Sequence, residues 1–75
     1  MQIYNTVKET FYEDDFGQYT SYGISVIKDN GVLLHISDLC LDKNSVDCFC
    51  SLLNYCEVNP NDIFEYIEEF LANID

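Results

Sequence analysis

Tyr22-Gly23-Ile24-Ser25-Val26-Ile27-Lys28-Asp29-Asn30-Gly31-Val32-Leu33-Leu34-His35-Ile36 is the stretch that decides the fold. Tyr22, Ile24 and Val26 alternate with small or polar residues, the period of a half-buried strand. Asp29-Asn30-Gly31 follows at once. An Asn-Gly pair accepts positive φ at both central turn positions, so it predicts a type I′ hairpin. Val32 to Ile36 is the returning strand. Upstream, Ile3, Val7 and Phe11 share one face of another strand, with Asn5 and Glu9 between them. Lys8 and Thr10 fall on its other face. Glu13-Asp14-Asp15-Phe16-Gly17 joins the two as an acidic turn. The three segments form an antiparallel meander with one face available to helices.

Beyond Ile36 the period changes to that of a helix. Asp42, Asn44 and Ser45 each offer a side-chain oxygen to cap free backbone amides. A helix is expected from about Ser45 to Cys56, with Val46, Phe49, Cys50, Leu53 and Cys56 on one face. Cys48, Leu52 and Tyr55 widen that apolar sector. The extra width serves contact with a second helix, or leaves a patch for a partner or a second copy. Asn59-Pro60-Asn61-Asp62 starts the second helix, with Asn59 as cap, Pro60 at N1 and Asp62 against the positive helix end. Ile63, Phe64, Tyr66, Ile67, Phe70, Leu71 and Ile74 make its apolar side. Asp62, Glu65, Glu68 and Glu69 make the opposite side. The expected fold is α+β: a three-stranded antiparallel sheet followed by two helices packed on one face, in the order βββαα.

The charge balance is the strongest functional signal. Fourteen Asp and Glu stand against three Lys, a net charge of −11 on 75 residues. The chain is also 48% hydrophobic and 15% aromatic, which separates it from disordered acidic tails. A folded domain of this charge repels nucleic acid and anionic membrane and attracts basic partners. Direct nucleic-acid binding is opposed because no basic stripe exists to displace counterions from phosphates. One small domain covers residues 1–75, with a limited core to which a partner or homo-oligomer adds burial. No apolar run approaches the roughly 20 residues that span a bilayer. Met1 to Thr10 lacks a basic head followed by an apolar stretch, so a cytoplasmic address is expected.

The residues offer little chemistry. Cys40, Cys48, Cys50 and Cys56 are spaced C-x7-C-x-C-x5-C, without the C-x2-C knuckle of structural zinc sites. They read as mostly small buried hydrophobes rather than as metal or redox groups. His35 is the only histidine. A thiol site pairing it with Cys40 or Cys48 is the sole enzymatic arrangement to weigh. Glu13-Asp14-Asp15 lacks the alternating ligands of a calcium loop. Gly17, Gly23 and Gly31 are isolated and form no phosphate-binding loop. Neither catalytic residues, cofactor nor metal are expected.

What remains is acidic surface. One part is the helical face of Asp62, Glu65, Glu68 and Glu69. Another is the turn of Glu13, Asp14 and Asp15. A third, scattered part is Asp38, Asp42 and Asp47. Tyr12 and Tyr19 flank the acidic turn, and Tyr4 and Tyr22 lie near these groups. A tyrosine ring beside carboxylates makes contact area at low entropic cost. Ordinary solubility is reached with a much smaller net charge.

Two resemblances accompany this reading. The order Tyr22-Gly23-Ile24, hairpin, Ile36-Ser37-Asp38, helix, Asn59-Pro60 and Ile67-Glu68-Glu69-Phe70-Leu71 resembles a family of short uncharacterised bacterial domains. That likeness implies no activity. In size and acidity the chain also resembles small phage-encoded anti-CRISPR proteins and DNA-mimic inhibitors, without a shared motif. The expected function is therefore a non-enzymatic acidic inhibitor that occupies a basic nucleic-acid-binding cleft of a larger protein. An anti-CRISPR inhibitor of a Cas effector is its most concrete form. Its partner-binding residues are Glu13, Asp14, Asp15, Asp62, Glu65, Glu68, Glu69, Tyr12 and Tyr19. The alternative is a small bacterial regulatory or assembly domain that binds a protein through Cys48, Leu52 and Tyr55.

Overall fold

Two hairpins and two helices make up the molecule, described by a computed structural model over residues 2–73. β1 (Gln2–Glu13), β2 (Gly17–Lys28) and β3 (Gly31–Cys40) form one antiparallel sheet in the order β1-β2-β3. α1 (Lys43–Tyr55) follows, then a 3-10 turn at Pro60–Asp62 that leads into α2 (Ile63–Asn73). The α+β architecture is the expected one. Ile74, assigned to the apolar side of the second helix, lies outside the described residues.

The strands are longer than their apolar patterns indicate. Glu13 pairs with Gly17, so β1 and β2 continue to the acidic turn. Gly17 closes that turn at φ 78°, a left-handed conformation that glycine adopts at little cost. The second hairpin turns one residue earlier than expected. Lys28 pairs with Gly31, and Asp29 rather than Gly31 takes positive φ, at 58°. Asp29 and Asn30 are therefore the central turn residues, and Gly31 opens β3.

β3 bends across β2. Ile24 pairs with Ile36 but Tyr22 pairs with Cys40, so β3 carries extra residues opposite Gly23. Asp38 absorbs this bulge at φ 54°. The backbone crosses so closely that a Cβ at Gly23 would lie 2.1 Å from the Ile36 carbonyl oxygen. Ser21 is buried nearby and donates its hydroxyl to the Cys40 carbonyl at 3.2 Å.

The helices cover the Tyr4 face, and the face of Ile3, Val7 and Phe11 stays open. Tyr4, Ile24 and Val26 are buried beneath Val46, Phe49, Cys50 and Leu53 of α1. α2 joins this core through Ile63 and Ile67, and Phe70 stacks on Phe49 at 4.4 Å between centroids. Ile3 remains 43% exposed and Val32 66%. The alternation of apolar residues in β1 is therefore real but points away from the helices. One large side chain, Tyr4, outweighs it because its ring fills the core and its hydroxyl reaches the Val58 carbonyl.

Helix ends follow local chemistry. α1 begins at Lys43, earlier than Ser45, with Asp42 as the extended N-cap. Asp42 accepts from the Ser45 hydroxyl at 2.6 Å rather than from a backbone amide. At the other end Glu57 takes φ 50°, its N–H donates to Asn54 O, and the Val58 N–H donates to Leu53 O. This is a Schellman closure with glutamate where glycine is usual. Asn59 Oδ1 accepts from the Asn61 N–H at 2.9 Å, so Asn59 caps the turn into α2 with Pro60 first inside it, as its sequence indicates.

Candidate functional site

The structure divides the expected acidic site into separate surfaces. Glu13, Asp14 and Asp15 sit at the tip of the β1–β2 hairpin. Asp62 lies near Tyr4, whose hydroxyl it helps to keep protonated. Glu13 lies nine residue steps along β1 from Tyr4, about 30 Å at the usual rise. The hairpin tip and the start of α2 thus stand at opposite ends of β1. β3 pairs with β2 only as far as Tyr22, so the outer part of the first hairpin projects beyond it as a two-stranded arm.

The two candidate tyrosines point to opposite sides of that arm, because consecutive strand positions alternate. Tyr12 is 74% exposed. Tyr19 is tied into the fold. Its ring stacks on Phe11 at 5.5 Å, and its hydroxyl donates to Asp38 Oδ2 at 3.0 Å. Desolvation raises the Tyr19 pKa, and the bond to Asp38 and the charges of Asp38 and Glu13 add to it. Tyr19 therefore braces the arm. Phe16 and Leu41, both strongly exposed, line a shallow hollow with Glu13 and Tyr19. Sequence reasoning missed these two, because Leu41 reaches the arm only through the bend in β3.

The scattered carboxylates are largely used internally. Asp38 holds Tyr19 and Asp42 holds Ser45. Asp47 accepts from Lys43 Nζ at 2.6 Å. That bond raises Lys43 and, with the nearby Thr6 hydroxyl adding to it, holds the Asp47 carboxyl below its ordinary pKa.

α2 differs. Glu65, Glu68 and Glu69, with Asp62 of the 3-10 turn that leads into the helix, are all exposed. Among the described residues, none of them forms an ion pair with a lysine or histidine. Their i, i+3 and i+4 spacing puts neighbouring Cβ atoms about 5–6 Å apart. The apolar side is less completely covered than its pattern indicates. Phe64 is 60% exposed and Leu71 is also exposed, so apolar surface flanks the acidic ridge.

On the opposite flank, α1 and α2 enclose a groove of ≈ 510 Å³. Cys48, Phe49, Leu52, Tyr66 and Phe70 line it, and Asp42 and Glu69 stand among its polar residues. Cys48 and Leu52, singled out in the sequence, meet here. Tyr55 is exposed and does not line the groove.

The cysteines correct the expectation of burial. Only Cys50 is fully buried; Cys40 is half-buried, and Cys48 and Cys56 are exposed. Burial raises the Cys50 thiol pKa, against a hydroxyl bond from Thr6 at 3.6 Å. His35 contacts Glu9 at 3.4 Å and Ser37 at 3.5 Å on the open face of the sheet. Cys48 is on α1, across the sheet, and Cys40 Sγ accepts from the Asp42 N–H at 3.4 Å, so among the described residues neither candidate thiol is hydrogen-bonded to His35. The Ser37–His35–Glu9 cluster does not make a relay either. Serine and carboxylate both approach Nε2, whereas a relay needs them on opposite ring nitrogens. Among the described residues no group of three His, Cys, Asp or Glu is placed to hold a metal ion. Among the described residues no helix is long and apolar enough to cross a membrane.

No protein-family model matches the chain, and no curated protein or solved structure is detectably similar to it.

Proposed function

We propose that this chain is a non-enzymatic inhibitor that binds a basic, nucleic-acid-binding cleft of a larger protein. The observation that carries this reading is the ridge of Asp62, Glu65, Glu68 and Glu69, exposed and, among the described residues, in no ion pair with a lysine or histidine. A rigid helix holds these carboxylates at fixed spacing, as a backbone holds phosphates. The cleft's Arg and Lys pair with them, and the field of −11 charges speeds encounter. The hairpin tip, with Glu13, Asp14, Asp15 and Tyr12, is a second contact far from the first and fits an extended cleft. An anti-CRISPR inhibitor acting on a Cas effector in the bacterial cytoplasm is the most concrete form.

The test is displacement. Partners are captured from a nuclease-treated bacterial lysate, and each is bound to a labelled duplex. The chain must release the duplex, and adding salt must weaken its grip on the partner. A partner held equally at high salt, or one that retains its duplex, sinks the reading.

A second reading rests on the α1–α2 groove. There a regulatory or assembly domain binds through Cys48 and Leu52, and the acidic ridge serves only solvation. Leu52→Ser abolishes binding in that case, while Gln at positions 65, 68 and 69 leaves it intact.

A further inference from the structure

We propose that the groove between α1 and α2 receives the apolar side chains of a basic amphipathic helix in the protein partner. This rests on the acidic-ridge reading and adds the anchor that the ridge lacks.

Charges alone make weak, screened contacts, and stable complexes centre on a desolvated anchor. The groove supplies one beside the ridge. Phe49 and Phe70 stack to form its floor, with Leu52 and Tyr66 as walls. Leu52 is 51% exposed, a large apolar side chain left without full cover. The volume of ≈ 510 Å³ falls within the range of specific binding sites.

Charge identifies the occupant. Asp42 and Glu69 border the groove, Glu65 lies one turn from Glu69, and no lysine lines it. Lys43, the nearest cation in sequence, is engaged by Asp47. An acidic segment is repelled, and so is a second copy carrying −11. A helix with apolar residues on one face and Lys or Arg beside them satisfies floor and border together.

Cys48 lies in the groove, while Cys56 is exposed outside it, so the two thiols report occupancy. The probe is a synthetic Leu–Lys amphipathic peptide. Alkylation of each thiol is followed by mass spectrometry on the intact, folded chain. Saturating peptide is expected to slow Cys48 about tenfold, since thiol reactivity follows access, and to leave Cys56 unchanged. A Ser–Lys peptide of equal charge is expected not to protect. Leu52→Ser, a half-exposed position that tolerates serine, is expected to remove the protection. No protection, equal protection by the Ser–Lys peptide, or Cys48 shielding that follows protein concentration without peptide each overturns the proposal. The two readings fail separately. If Cys48 is unprotected while E65Q/E68Q/E69Q still weakens partner capture, the groove assignment falls and the ridge stands. Protection with capture indifferent to that variant does the reverse.

Discussion

Asn54 of α1 clamps the backbone of Tyr4 in β1. Its Oδ1 accepts from the Tyr4 N–H at 2.7 Å, and its Nδ2 donates to the Tyr4 carbonyl at 3.0 Å. β1 is an edge strand, and one amide side chain takes both of its outward groups at this position. The same contact sets α1 over the Tyr4 face, which determines where the groove and the acidic ridge lie. Asn54→Ala is expected to lower stability by about 1–2 kcal/mol, since two modest bonds are lost at a partly solvated site. Asn54→Asp is expected to do the same, because it has no donor for the carbonyl. Urea denaturation checks this; unchanged midpoints for both would contradict it.

Gly23 and Gly31 separate close approach from turn chemistry. A methyl at Gly23 meets the Ile36 carbonyl, whereas nothing lies within 4 Å of one at Gly31. Gly23→Ala is expected to cost about 3 kcal/mol or more, as overpacking against backbone has no flexible side chain to relieve it. Gly31→Ala is expected to stay within about 0.5 kcal/mol of the parent. Thermal melts of the pair decide this, and similar losses would disprove the crossing of β3 over Gly23.

Glu57 holds a left-handed conformation at the C-terminal end of α1, where helix carbonyls already concentrate negative charge. Glu57→Gly is expected to raise stability by about 1 kcal/mol, removing both the steric strain and the repulsion. A fall in the urea midpoint would count against the Schellman closure.

Alkaline pH is expected to destabilise the fold. Burial raises Cys50 above its ordinary 9.0, and it raises Tyr4 above 10.0 with help from Asp62 and then Tyr66. Each group is held neutral by folding. Its contribution is complete below the unfolded value and is lost as pH rises through the folded one. Stability should therefore decline from about pH 9 upward. Cys50→Ala should flatten the first part of that decline, as read by urea midpoints across the range. A flat profile in the parent would contradict the assignment.

Much of the fold is legible in the residues, and the exceptions have identifiable causes. The turn into β3 and the start of α2 are local, set by Asp29-Asn30-Gly31 and Asn59-Pro60; the second forms where the chain indicates, and the first turns one residue earlier, on Asp29-Asn30. The outer arm is hidden because Gln18, Thr20 and Ser21 carry no apolar alternation. They are strand because β1 pairs with them. The covered face is hidden because apolar count favours Ile3, Val7 and Phe11, whereas packing favours Tyr4 with its buried hydroxyl bond. The continuation of β3 to Cys40 depends on a bulge at Asp38 that pattern does not encode. The acidic ridge on α2 follows from helical spacing alone. Its distance from Glu13, Asp14 and Asp15, and the groove beside it, depend on tertiary placement.

If Glu65, Glu68 and Glu69 bind in place of phosphates, the salt dependence of partner affinity reports it. It is read for the parent and for E65Q/E68Q/E69Q against the same captured partner. Log affinity is expected to fall steeply with log salt for the parent. The variant's slope should be shallower by about two to three, close to one per lost charge pair, as for counterion release at a phosphate surface. Equal slopes and equal affinities for the two chains would contradict it.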